Sequence, residues 1–202
     1  MRRLLIYLSI LVLCLSMAAV SWATLILDTG QNPDSITGPF SLASDQWLTG
    51  QFTTTQAWNI GAMEGYIYTQ SAGEVDVTIY SNTGNLPGTP LITRSFQSSD
   101  DFTTEWQGTT GFAGNLAAGS YWIAFTVPTS STFYGGLGVA DNPPPNPMSL
   151  EAYTNDQGVT WTNWPLNLGV RIEAAPVPVP PTVWLLGSGL LGLAGWRKFK
   201  KG

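Results

Sequence analysis

Between Thr24 and Ala175 the hydrophobic and polar residues alternate with a period of two. In Val75-Asp76-Val77-Thr78-Ile79-Tyr80 the apolar Val75, Val77 and Ile79 share one side. Tyr121 to Val127 places Tyr121, Ile123, Phe125 and Val127 together, and Leu168 to Glu173 repeats the pattern. Successive strand residues point to opposite faces, so this alternation predicts antiparallel strands with one buried and one wet face. Less regular runs at 25–28, 51–55, 65–69, 91–96 and 133–139 predict further strands. Turn signals separate them: Asn82-Thr83-Gly84-Asn85, Leu86-Pro87-Gly88, Ala118-Gly119 and Asn155-Asp156-Gln157-Gly158. No stretch from 24 to 175 carries a helical period. About eight to ten short strands at this spacing predict an all-β fold, an antiparallel β-sandwich of jelly-roll-like type.

The two ends follow other patterns. Arg2 and Arg3 precede an apolar run from Leu4 to Val20, and Ser21-Trp22-Ala23 offers small residues before a cut after Ala23. That is the layout of a secretory signal, so residues 1–23 are expected to form a signal helix removed on export. Cys14 lies inside this run behind Leu11-Val12-Leu13, with no small residue before it, and reads as apolar filler. At the other end, Val177-Pro178-Val179-Pro180-Pro181 leads into an apolar stretch from Thr182 to Trp196, followed by Arg197, Lys198, Lys200 and Lys201. Proline can start a helix but not continue one. The expectation is a proline-rich linker over 176–181, a short transmembrane helix over 182–196 and a basic cytoplasmic tail over 197–202. At about 1.5 Å per residue the helix reaches roughly 22 Å, short of an apolar core of about 30 Å. The basic cluster would hold it at the cytoplasmic face. Such a length suits a removable anchor.

The proline-rich lead, the helix with Gly187, Gly189, Gly192 and Gly195, and the basic end beginning at Arg197 and Lys198 together resemble the PEP-CTERM sorting signal. The resemblance implies a partner, the exosortase, an integral-membrane cysteine transpeptidase that recognises and processes the tail. It also implies export, transient membrane anchoring, and then residence at the cell surface or outside the cell. Where that family usually has Val-Pro-Glu-Pro, this chain has Val177-Pro178-Val179-Pro180. A second resemblance lies in Val75 to Ser81 with Gly84 and Leu86-Pro87-Gly88, and in Leu116 to Ile123. These segments are similar to the extracellular "choice-of-anchor" domains, β-sandwiches of unassigned activity.

Charge sharpens the picture of the middle domain, residues 24–175. All 13 acidic residues of the chain lie between Asp28 and Glu173, with only Arg94 and Arg171 among them, a net charge of −11. An acidic surface repels phosphate backbones, so no nucleic-acid partner is expected. The chain has no histidine, and residues 24–175 contain neither cysteine nor lysine. Ser-His-Asp, Cys-His and Ser-Lys nucleophile systems therefore cannot be built there, nor can the usual zinc site or a phosphate loop with its lysine. Carboxylate chemistry passes this filter through Glu64, Glu74, Glu105 and Glu151, but nothing in their context pairs two of them across a cleft. The expectation is a non-enzymatic protein of the surface or extracellular matrix.

Two kinds of candidate site remain. Oxygen ligands suit calcium, and the candidates are Asp28 with Asn32 and Asp34, the Asp100-Asp101 pair, and Asn155 with Asp156. No cofactor is expected otherwise. Trp47, Trp58, Trp106, Trp161 and Trp164 fall in loop-like or strand-edge places, where exposed rings mark binding surfaces. Trp161-Thr162-Asn163-Trp164, two rings three apart with Asn163 between them, suggests an extracellular polysaccharide as ligand. A carbohydrate-binding module is thus the alternative function.

Overall fold

The computed structural model describes residues 24–32, 40–99 and 102–175. All regular structure among them is β, in twelve strands: β1 Leu25–Asp28, β2 Phe40–Leu42, β3 Trp47–Thr54, β4 Trp58–Ser71, β5 Glu74–Thr83, β6 Leu86–Gln97, β7 Thr104–Leu116, β8 Gly119–Thr126, β9 Tyr134–Leu137, β10 Leu150–Thr154, β11 Thr162–Asn163 and β12 Val170–Ala174. The expected signal helix and sorting helix lie outside the described residues.

The strands form two six-stranded antiparallel sheets. In the first, the 14-residue β4 is the spine. β7 runs along one of its edges, while β12 and β9 follow each other along the opposite edge, extended by β1 and β2. The second sheet has the order β11-β10-β3-β8-β5-β6.

Period two decides which residues enter the core. Val75, Val77 and Ile79 of β5 face the same side as Ile123 and Phe125 of β8, with Val77 opposite Phe125 and Ile79 opposite Ile123. All five are fully buried, and they share one apolar cluster with Ile60, Met63, Ile67, Leu137, Val170 and Ile172 of the first sheet. The two inner faces meet closely at Gly65, where a Cβ would stand 2.6 Å from Leu137 Cδ1 and 2.9 Å from Phe125 Cε1. Thr29 closes the domain: its hydroxyl donates to Leu168 O at 2.7 Å and accepts from Val170 N at 2.7 Å, tying the start of the chain segment to its end.

Several sequence expectations need correction. β7, the 13-residue strand over 104–116, carries no clean alternation, and β2, β10 and β11 were equally without a signal. β7 holds Gly108, Gly111 and Gly114, and between Thr110 and Gly114 it swells into a bulge opposite β4. Leu86-Pro87-Gly88 is not a turn but the start of β6, an edge strand, where proline needs no ladder partner. The reversal itself is at Gly84 and Asn85, both at positive φ. The face of β8 turned away from the core is not wet throughout: Trp122 is fully buried, and its indole N–H donates to Asn82 Oδ1 at 3.0 Å.

Candidate functional site

The outer face of the first sheet carries a mixed aromatic and charged cluster. Arg171 of β12 stands opposite Asp28 of β1 and Glu64 of β4. Its Nε is 3.8 Å from Asp28 Oδ1 and its Nη1 is 4.0 Å from Glu64 Oε2. Its guanidinium lies 4.2 Å over the ring of Trp106, which in turn leans on Tyr66 at 5.6 Å. Both ion pairs are long and partly exposed, so the stacking on Trp106 is the better-made contact. Burial pushes the Glu64 carboxyl above its usual range; Arg171 pulls it down and Glu173 adds to the rise. Arg171 Nε is buried without a hydrogen-bond acceptor among the described residues. Tyr66 fits because its neighbours Gly138 and Gly169 lack side chains: a Cβ on either would come within 2.8 Å of it. Neither Trp106 nor Arg171 could be assigned to this cluster from the sequence, because four strands, β1, β4, β7 and β12, distant in the chain create it.

The segment singled out for its tryptophans lies at the edge of the second sheet. β10 and β11 form a hairpin in which Ala152 faces Asn163 and Tyr153 faces Thr162. β11 itself is only Thr162–Asn163, so Trp161 and Trp164 flank it, one at each end. Both Trp47 and Trp161 border Gly158, whose φ is +85° and where a Cβ would lie 2.9 Å from Trp47 and 3.6 Å from Trp161. Trp164 is 57% exposed and Asn163 is exposed as well. Trp58 packs against the core.

The hairpin tip is built around Asp156. Its carboxylate accepts the hydroxyl of Thr154 at 2.6 Å, the N–H of Thr160 at 2.8 Å and the Thr160 hydroxyl at 2.5 Å. These donors hold its pKa down at about 2. With its oxygens engaged this way, Asp156 serves the turn. The legible signal was a hydroxyl residue two positions before and four positions after an acid, with a glycine between.

Glu151 makes a comparable latch. Its carboxylate accepts the N–H groups of Leu166 at 2.6 Å, Asn167 at 2.5 Å and Leu168 at 2.7 Å, and Trp164 N–H bonds its backbone oxygen at 2.9 Å. Glu105 accepts the Ser99 hydroxyl at 2.6 Å. Glu74 lies on β5, and its backbone oxygen accepts the Ser131 hydroxyl at 2.7 Å. The four acids considered for carboxylate chemistry therefore sit on four different strands, β4, β5, β7 and β10.

Of the calcium candidates, Asp28 accepts the N–H of Gly30 at 3.0 Å and faces Arg171, whose positive charge opposes a nearby cation. Asn32 gives its backbone N–H to Val139 O at 3.1 Å. Asp34, Asp100 and Asp101 lie outside the described residues, as do Val177 to Lys198 of the tail. Among the described residues no three His, Cys, Asp or Glu side chains come together as a metal site.

Fold and site together define a class: an all-β, sandwich-like domain, acidic, with the carboxylates of Glu151 and Asp156 engaged in a latch and a turn. The tail adds the particular. Residues 176–201 match the PEP-CTERM protein-sorting motif. No curated protein matches the chain. The motif marks an exported protein that is sorted by an exosortase, transiently membrane-associated and then displayed at the surface.

Proposed function

We propose that this chain is a non-enzymatic structural or adhesive protein of the cell surface or extracellular matrix, held briefly by a short helix over 182–196 before exosortase processing. The observation that carries this reading is the fate of the carboxylates. Glu151 is latched to three backbone N–H groups, Asp156 to Thr154 and Thr160, and Glu64 lies beside Arg171. With histidine, cysteine and lysine missing from residues 24–175, acids were the remaining catalytic resource. We also infer a jelly-roll-like topology. Its support is the order β2-β9-β4-β7 in one sheet facing β3-β8-β5-β6 in the other, the eight-strand double Greek key. The test is an assay of the exported protein on polysaccharides: turnover that disappears on changing a single acidic residue sinks the reading.

The second reading, a carbohydrate-binding module, is favoured by the exposed ring of Trp164 beside Asn163. Because Trp161 is half-buried and borders Gly158 of the hairpin turn, Trp164→Ala is expected to abolish glycan binding while Trp161→Ala loosens the hairpin. Equal binding by both variants and the parent chain would remove this reading.

A further inference from the structure

A sheet edge presents unpaired backbone donors and acceptors, and proteins blunt such edges with short strands, lysine, proline or covering loops. The edges on one flank here are blunted. β1, β2 and β11 have four, three and two residues. Asn146 caps β1, its backbone N–H on Asp28 O at 3.0 Å and its side chain on Ile26 O at 3.2 Å. The opposite flank carries two long edge strands, β6 and β7. β6 contains Pro87 and Pro90, and its Arg94 turns onto Phe112 at 4.8 Å. Among the described residues, no strand other than β4 covers the first half of β7. From Thr104 to Thr110 it pairs with β4 without a register break, and this run, Thr-Glu-Trp-Gln-Gly-Thr-Thr, contains neither lysine nor proline. Its threonines and tryptophan are good strand formers. Among the described residues β7 pairs with β4 alone.

We propose that the free edge of β7 over Thr104–Thr110 pairs antiparallel with the same edge of a second copy of this chain, about a two-fold axis at Gln107. The sequence of the run is complementary to itself in that register. Thr104 meets Thr110 of the other copy, and Trp106 meets Gly108, which has no side chain to obstruct an indole. Glu105, the one charge in the run, meets Thr109 instead of itself. The hydroxyl of Thr109 is buried with no hydrogen-bond partner among the described residues, and the register sets a carboxylate opposite it. Opposed threonines and a charge facing a hydroxyl are favourable cross-strand pairs, whereas facing like charges are not. A two-fold interface uses the same patch on both copies and closes on itself. Against association stands the net charge of −11 carried between Asp28 and Glu173 on each copy. Salt screens that repulsion, so pairing strengthens as ionic strength rises, the reverse of an interface made by opposite charges. The inference is independent of the sorting and non-enzymatic readings.

The experiment uses the full chain in mild detergent with Cys14→Ser, so that introduced thiols are the only ones. Thr104→Cys and Thr110→Cys are made singly and together. The two positions are about 20 Å apart on one strand, too far to bridge within a copy. Oxidation of the double variant is expected to give a covalent dimer, while each single variant remains uncrosslinked. In the chain without introduced cysteines, sedimentation should show dimer that increases with sodium chloride. Thr110→Asp, at an exposed position, should weaken it roughly tenfold with an unchanged melting temperature. A chain that stays monomeric at all salt concentrations overturns the proposal. So does one that associates without forming the 104–110 cross-link, which would assign the contact to another surface such as the apolar tail.

Discussion

The carboxylate of Asp156 accepts two hydrogen bonds from a single residue, the N–H and the hydroxyl of Thr160, at 2.8 and 2.5 Å. Together with Thr154 they lower its pKa from 3.8 to about 2. A carboxyl with a depressed folded pKa stabilises the fold above its unfolded value and loses that contribution as pH falls through the folded one. The hairpin is therefore expected to be firm above pH 3.8 and to loosen as the pH falls toward about 2. Fluorescence of Trp47 and Trp161, which flank Gly158, reports it. Asp156→Asn should flatten this acid transition; an unaltered transition would mean another group is responsible.

Glu151 gathers three consecutive backbone N–H groups, two of them from the buried Leu166 and Leu168. Glu151→Ala leaves these donors without their acceptor, and a loss of about 2–3 kcal/mol in urea unfolding is expected. Glu151→Gln keeps one carbonyl oxygen and should lose less. Equal losses in the two variants would show that side-chain volume matters there and hydrogen bonding does not.

Gly65 lies between the sheets, tight against Leu137 and Phe125, both fully buried. Gly65→Ala forces these side chains aside and is expected to cost about 1–3 kcal/mol. Adding Leu137→Ala makes room for the new methyl, so the double variant should be more stable than the sum of the single changes predicts. Strict additivity in denaturant melts would contradict the packing described.

The PEP-CTERM match covers residues 176–201, including Arg197, Lys198, Lys200 and Lys201. Replacing these four with neutral residues removes the charge that keeps a helix end cytoplasmic. Less protein retained at the envelope, and more of it unprocessed, is the expected outcome in cell fractionation. Deleting 182–202 should release a folded domain into the medium. Retention at the level of the parent chain would separate the motif from anchoring.

Much of the fold was legible because alternation is a local property. The runs around Val77 and Ile123 announced both their strands and their inward faces, and Leu25–Asp28 appeared at its observed bounds. β7 was not legible, because an edge strand has no second neighbour to impose a strict apolar face and its bulge breaks the period. Trp161 and Trp164 are close in sequence, yet their exposure differs, Trp161 being half-buried and Trp164 exposed, because burial depends on neighbours distant in the chain.

By itself the sequence determined the sorting motif at 176–201 and the parity of the main strands. Both are written in neighbouring residues: an apolar run with basic flanks, or a side chain every second position. It also removed most catalytic chemistries, since a residue type that is missing cannot be supplied by folding. Only the tertiary structure decided which strands pair, and with that which acids have work to do. Glu151 reaches Leu166 to Leu168 across a hairpin, and Arg171 reaches Trp106 across the width of β4. Contacts of this kind depend on register between segments far apart in the chain, and a register is fixed by the packing of whole sheets rather than by any local run of residues.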